Sequence, residues 1–382
     1  MKIRKKKTVL VITGTRADYG LLRPVMYEIL KSKTLALKVL ATGMHTLDSG
    51  LTLKDIRRDK MPIGTIVPIS ANDSMLEALA KEIKGIEKYC KKARPDLILV
   101  LGDRDEHFAA AVVGGHLGTP VAHIHGGDKT GYVVDEYIRH AITKFSHLHF
   151  PASQKSAARV RLFGEEPWRI TMTGGPGLDE LRALKTLSSA ALAKRYGLSP
   201  SKPWYVVLHH PASLDAVQYK MQAAGVFSAV AKLPGEKIVL SPNADTGSHE
   251  FRAEIARYKS KPGFHIFQHI PRADLIGILK HTELLVGNSS MGIIDASFLR
   301  LPTVNVGTRQ MGREQGGNVV DCGYDINSID CAIKKALSPA FRKKVAHSKS
   351  PYGDGHVALR IVRIIEKQIG RPDLFHKKLT YV

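Results

Sequence analysis

The chain has 382 residues, 43% of them hydrophobic, which is too long for one ordinary core and ample for two. Its 57 Lys and Arg against 35 Asp and Glu give a formal charge of +22 and favour an acidic partner, yet the basic residues are scattered and aromatics reach only 7%, so no specific nucleic-acid module is legible. Cys90, Cys322 and Cys331 match neither a disulfide framework nor a zinc spacing, and no run approaches the ~18 apolar residues of a membrane span, so the expectation is a cytoplasmic protein with no membrane partner.

The basic start, Lys2 to Lys7, leads into an apolar run, Thr8 to Thr13, too short for a signal peptide. That run predicts a strand, GTRADYG a loop, and Leu21 to Lys31 an amphipathic helix. A second strand, Leu37 to Thr42, ends near His45, and a third covers Ile63 to Ile69. Met75, Leu79, Ile83 and Ile86 then repeat at helical spacing. The fourth strand, Asp96 to Leu101, is continuously apolar after its first residue, as a parallel strand buried on both faces should be, and ends at Gly102 and Asp103. A small-residue helix from His107 to His116 precedes the strand Pro120 to Ile124, which opens into HGGDKTGYVVDEYIRHAITKFSHLHF. Strands alternate with helices throughout, the signature of a doubly wound α/β domain.

Polar residues collect at the strand ends: Arg16 and Asp18, His45, Asp103, then His125 and Asp128. A single aspartate after a strand is usually a cap or turn residue, but open α/β sheets bind ligands at the carboxyl ends of their strands, and four such ends in one domain indicate a site.

TGGPGL at 173–178 reads as a hinge. Beyond it the pattern repeats without sequence similarity: helix Ser188 to Tyr196, strand Trp204 to Leu208 ending in His209 and His210, helix Ala216 to Lys232, strand Lys237 to Leu240 ending near Asn243, and strand His265 to Phe267 ending at His269. Strand Glu283 to Val286 then enters Gly287 to Asn318. There Asn288, Ser289, Ser290 and Gly292 fall where a strand ends and a helix begins, Asp295 follows, and Arg309 and Arg313 return after the strand Thr303 to Val306. Helix N-termini and serine hydroxyls favour an anion, so this stretch reads as a phosphate site. The final helix, His356 to Ile369, is expected to return to the first domain.

No GxGxxG follows the first strand and no GxxxxGK[ST] is present, which argues against hydride transfer and a P-loop. His123, His125, His147 and His149 are spaced two apart, but the last pair lies in a run that reads as buried strand, so no metal site is assigned.

TGTRADYG at 13–20, LGDRDE at 101–106, HIHGGD and the following DEYIRHAITKFSHLHF, HHP at 209–211, SPNAD at 241–245, GNSSMGIID at 287–295, VGTRQMGRE at 306–314 and YGDG at 352–355 together resemble the hydrolysing UDP-N-acetylglucosamine 2-epimerases. The resemblance runs in order from residue 8 to about 365. It implies an α/β, GT-B type fold: two facing Rossmann-like doubly wound domains with the active site in the interdomain cleft. The domains are expected at 1–175 and 176–355, with 356–382 crossing back.

The implied reaction eliminates UDP across C1–C2 and hydrates the glycal to a 2-epimeric free sugar, N-acetylmannosamine or a related acetamido sugar for nonulosonate biosynthesis. It needs no metal or redox cofactor, and acid and base groups at carbon carry it. Carried over by motif, the catalytic set is Asp103, His125, Asp128, Asp135 and His210. The binding set is Arg16, Asp18, His45, Arg104, Arg139, Asn243, His269, Ser289, Ser290, Gly292, Asp295, Arg309 and Arg313. Asp295 stands where that family has a glutamate on the ribose, and His125 where its sialic acid branch has a catalytic glutamate; histidine there resembles the legionaminic-type branch. The expected partner is a UDP-linked sugar, and the expected assembly a homodimer or homotetramer. The competing readings are a GT-B glycosyltransferase, a non-hydrolysing 2-epimerase and a polyanion-binding protein.

Overall fold

The computed structural model describes residues 5–47, 51–129, 134–212, 217–242 and 247–380. Two units divide it: Met1–Glu180 with Tyr352–Val382, and Leu181–Pro351. The sequence reading places the corresponding breaks at 175 and 355. The units have the GT-B type of architecture, each a doubly wound, Rossmann-like α/β sheet.

In the first unit the strands are β1 (Lys7–Thr13), β2 (Leu35–Ala41), β3 (Ile63–Ile66), β4 (Leu97–Leu101), β5 (Val121–Ile124) and β6 (Leu148–Phe150). They form one parallel sheet in the order β3-β2-β1-β4-β5-β6. Alternation along β1 divides the core. Val9 and Val11 join Leu22, Val25 and Ile29 on one face, whereas Leu10 and Ile12 join Ile86, Ile98 and Ala110 on the other. The helix Val357–Gln368 returns to the first of these faces and buries Val357, Ile361 and Ile365 there. Each such side chain contributes roughly 1.5–3 kcal/mol when fully buried.

The second unit contains β7 (Trp204–Leu208), β8 (Glu236–Leu240), β9 (Phe264–Phe267), β10 (Thr282–Gly287), β11 (Thr303–Val306) and β12 (Val319–Cys322). Its order is β12-β11-β10-β7-β8-β9, all parallel. The two halves therefore share one topology, with winding that reverses between β1 and β4 and again between β7 and β10. Those reversal points are where such sheets bind ligands.

Several elements depart from expectation. GTRADYG is not a loop: a helix occupies Arg16–Lys31, because Thr15 accepts from the Asp18 N–H at 3.2 Å while the Asp18 carboxylate accepts from the Thr15 N–H at 3.0 Å. This reciprocal cap satisfies two of the main-chain donors at the start of the helix. Strand β12 was not anticipated, since Val319 and Val320 are too short an apolar pair to signal one alone. The helix expected to begin at Ala216 runs Tyr219–Ala231, and Ala216 lies outside the described residues. No helix among the described residues is long and apolar enough to cross a membrane.

Candidate active site

At the strand ends of the first unit, Asp18 is 3% exposed and His45 fully buried. Asp18 accepts from the Gly14 N–H at 2.8 Å, the Thr13 hydroxyl at 2.8 Å and the ring of His107 at 3.0 Å. Burial works to raise this carboxyl, but the His107 hydrogen bond and the Gly14 and Thr13 donors outweigh it and hold it at about 2. Both residues, expected to bind substrate, build the loop from within. Arg16, on the same first helical turn as Asp18, is the exposed member, at 68%, and lies 3.5 Å from Asp55.

Arg104 precedes the helix Asp105–Leu117 and donates to Glu106 at 2.7 Å. Asp18, Glu106 and His107 place one potential metal-ligand atom each within 4.8 Å of one another. Both nitrogens of His107 already have partners, Asp18 and the Leu101 N–H, so the geometry spends these donors on one another.

A second group assembles around Arg139, on the helix Val134–Phe145. Its guanidinium, 2% exposed, donates to Asp103, to Glu136 at 3.0 Å and to the Asp128 carbonyl at 3.1 Å. Asp103 keeps 28% of its side chain exposed at the end of β4. Arg139 thus holds carboxylates from behind. Asp135, on the same helix, is exposed, and its charge adds to the burial that raises the Asp105 carboxyl.

His125 follows β5 with φ of +64°, a left-handed backbone that histidine tolerates better than a β-branched residue would. Its Nδ1 is 2.8 Å from Asp128 Oδ2, and Asp128 Oδ1 accepts from the Ser156 hydroxyl at 2.7 Å. A carboxylate only accepts, so the ring proton sits on Nδ1 and Nε2 becomes the proton-accepting atom. Gly175 lies beside that atom: a β-carbon there would stand 3.7 Å from Nε2. His147 and His149 are buried, with Glu165 against His149 at 3.1 Å and the Val121 N–H donating to His147.

In the second unit, Asn288 fastens the end of β10 to that of β7. Its side chain accepts from the His210 N–H and donates to the His210 carbonyl, both at 2.8 Å, while its own carbonyl accepts from Arg309 at 3.1 Å and Gln310 at 2.9 Å. Gly287, at φ of +144°, allows this approach, because a β-carbon there would lie 2.0 Å from the Leu208 carbonyl oxygen. Ser289 caps the short helix Ser290–Ile293, accepting from the Met291 N–H at 3.3 Å. Gly292 fits against Thr303 and Leu285, where a side chain would collide.

Asp295 opens the helix Asp295–Leu299 and accepts from Arg272 at 3.1 Å. His209, beside His210, is pushed down to about 3 by burial. Arg313 is half-buried and its N–H donates to the Gln310 carbonyl, whereas His269 is exposed. Asn243 lies outside the described residues. Sequence reading missed His107, Glu136, Ser156 and Arg272 as members of these networks; the i,i+3 spacing of Glu136 and Arg139 on one helix could have announced the second, whereas the partners of His107, Ser156 and Arg272 lie across strands or helices.

A family model described as UDP-N-acetylglucosamine 2-epimerase matches residues 28–366. A Legionella pneumophila protein named UDP-N,N'-diacetylbacillosamine 2-epimerase (hydrolyzing) is 37% identical over 94% of this chain and 96% of its own length. A Neisseria meningitidis serogroup B UDP-N-acetylglucosamine 2-epimerase is 34% identical over 87% of this chain and 88% of its own. Among solved structures, that of UDP-GlcNAc 2-epimerase from Neisseria meningitidis bound to UDP-GlcNAc superposes with a TM-score of 0.81 at 18% identity, covering 94% of this chain and 100% of that one.

Proposed function

The chain belongs to the UDP-N-acetylglucosamine 2-epimerase family, and from that premise we propose that it is the hydrolysing type, converting a UDP-linked 2-acetamido sugar to UDP and a 2-epimeric free sugar. The observation that carries the reading is the His125–Asp128 pair, a ring whose Nδ1 proton is committed and whose Nε2 accepts, in the same unit as an Asp103 carboxylate backed by buried Arg139.

In the first half-reaction a base takes the C2 proton, the C1–O bond to the diphosphate breaks, and its electrons leave with UDP to give a C1=C2 glycal. Water then adds, hydroxyl to C1 and proton to C2 from the opposite face. His125 Nε2 serves as one proton carrier and Asp103 as the other. Asp135 and Glu136, neighbours on one helix, are the further carboxylates available to the glycal. The second unit supplies the nucleotide side: Ser289 and Ser290 for phosphate oxygens, Arg309 and His210 for the leaving charge, and Asp295 for the ribose hydroxyls. The relative named for a diacetamido sugar supports a 2,4-diacetamido substrate for a nonulosonate route.

Proton NMR in D2O with UDP-N-acetylglucosamine and the UDP-linked 2,4-diacetamido sugar decides the matter. The expected products are free UDP and a free 2-epimer deuterated at C2. Recovery of an epimerised UDP-sugar establishes the non-hydrolysing type. Retained C2 protons with transfer to an acceptor establish a glycosyltransferase.

A further inference from the structure

We propose that His107 is a positioning residue that holds Arg16 and Asp103 in fixed relation, an inference that rests on the reading above, in which Asp103 carries a proton, and on the placement of Arg16 in the binding set that the resemblance implies. His107 lies in the first turn of the helix Asp105–Leu117 and is fully buried.

Hydrogen-bond directions along a buried chain fix its state. The Leu101 N–H donates to His107 Nδ1 at 3.3 Å, so that nitrogen carries no proton and Nε2 does. Nε2–H donates to Asp18 Oδ2 at 3.0 Å. Asp18 also takes the one proton of the Thr13 hydroxyl, at 2.8 Å, so the Thr13 oxygen accepts from His45 Nε2 at 3.0 Å. The order is then His45, Thr13, Asp18, His107, Leu101 main chain. It crosses the ends of β2, β1 and β4.

The placement has a mechanical consequence. Arg16 is two residues before Asp18, on the same capped turn, and Asp103 is two residues after Leu101. A histidine at 107 satisfies a main-chain donor from one loop and a carboxylate from the other, and so ties the two loops together. Only a side chain that accepts at one point and donates at another can replace it. Glutamine has that pair of functions, and leucine has neither.

The test compares His107→Leu, His107→Gln and Thr13→Val in the full chain by steady-state UDP release, UDP affinity and thermal melting. His107→Leu should lower kcat by about 30-fold or more while UDP affinity stays within about twofold, because the nucleotide residues lie in the other unit. His107→Gln should recover kcat to within about fivefold of wild type, and Thr13→Val, cutting the chain one link away, should lower kcat selectively too. If His107→Leu does not fold, the other two variants carry the test. Wild-type kcat in His107→Leu or Thr13→Val, or a His107→Gln as slow as the leucine variant, overturns the proposal and leaves the epimerase reading intact. A wild-type protein that releases no UDP from any UDP-sugar removes the reading and the proposal together.

Discussion

Arg139 presents its buried guanidinium to Asp103, whose carboxylate remains part-exposed at the end of β4. The two partners should therefore respond differently to substitution. Arg139→Met deprives the part-exposed carboxylates of Asp103 and Glu136 of the guanidinium they share and breaks its bond to the Asp128 carbonyl, so it should cost about 3 kcal/mol. Asp103→Asn leaves Arg139 still bonded to Glu136 and the Asp128 carbonyl, so its stability cost should be under about 2 kcal/mol while turnover falls at least ~100-fold. Urea unfolding alongside kcat separates them, and equal turnover in Asp103→Asn and wild type would remove Asp103 from the mechanism.

Asp128 sets the tautomer of His125. In Asp128→Asn the amide oxygen still receives the Ser156 hydroxyl, which leaves the NH2 facing His125 Nδ1. The ring must then accept at Nδ1 and carry its proton on Nε2, where it cannot act as a base. Turnover should fall on the order of 10³-fold. Adding Ser156→Ala removes the hydroxyl that favours this amide orientation, so the double variant should be faster than Asp128→Asn alone. If it is slower or equal, the orientation argument fails.

Asn288 bears on stability and binding together. Asn288→Ala removes the side-chain acceptor and donor that hold the His210 main chain, at the cost of two part-buried hydrogen bonds, roughly 0.5–1.5 kcal/mol each. Calorimetry with UDP should show weaker binding as well, since Arg309 donates to the carbonyl of residue 288 and Ser289 follows it in the chain. An Asn288→Ala protein that melts and binds UDP as wild type does would show that the β7–β10 fastening is dispensable.

How much of this was legible depends on the range of the signal. Strand β4 announces itself through Leu97 to Leu101, every one buried, and Trp204–Leu208 and Thr303–Val306 occur with the bounds the apolar runs give. The strand-end clustering of Asp103, His125 and Asp128 was legible too, because α/β topology places them by rule. The helix at Arg16 was not, since two glycines in GTRADYG mask the capping pair Thr15 and Asp18. Nor was the division among polar residues: Asp18, His45 and Arg104 look like ligands in sequence, and only tertiary contacts reveal that Asp18 and His45 are enclosed and that Arg104 is engaged by Glu106. Arg272 meets Asp295 across a distance of 23 positions that no local pattern spans.

Glu82 should make the protein less stable as pH rises. Its side chain is 2% exposed on the helix Met75–Ala93, and burial raises its carboxyl from 4.5 to about 7, with the charge of Glu106 adding and the Thr42 hydroxyl bond at 3.0 Å opposing. Below the unfolded pKa both states hold the proton and the group makes no difference. Between 4.5 and about 7 the unfolded chain releases the proton while the folded one keeps it, so unfolding gains about 1.4 kcal/mol per pH unit, about 3 kcal/mol in all. Above 7 the loss is complete. Glu82→Gln cannot ionise, so its stability relative to wild type should climb by about 3 kcal/mol between pH 4.5 and pH 8 in urea titrations, whatever the offset at low pH. A difference between the two proteins that stays constant across that range would mean that Glu82 titrates normally in the fold.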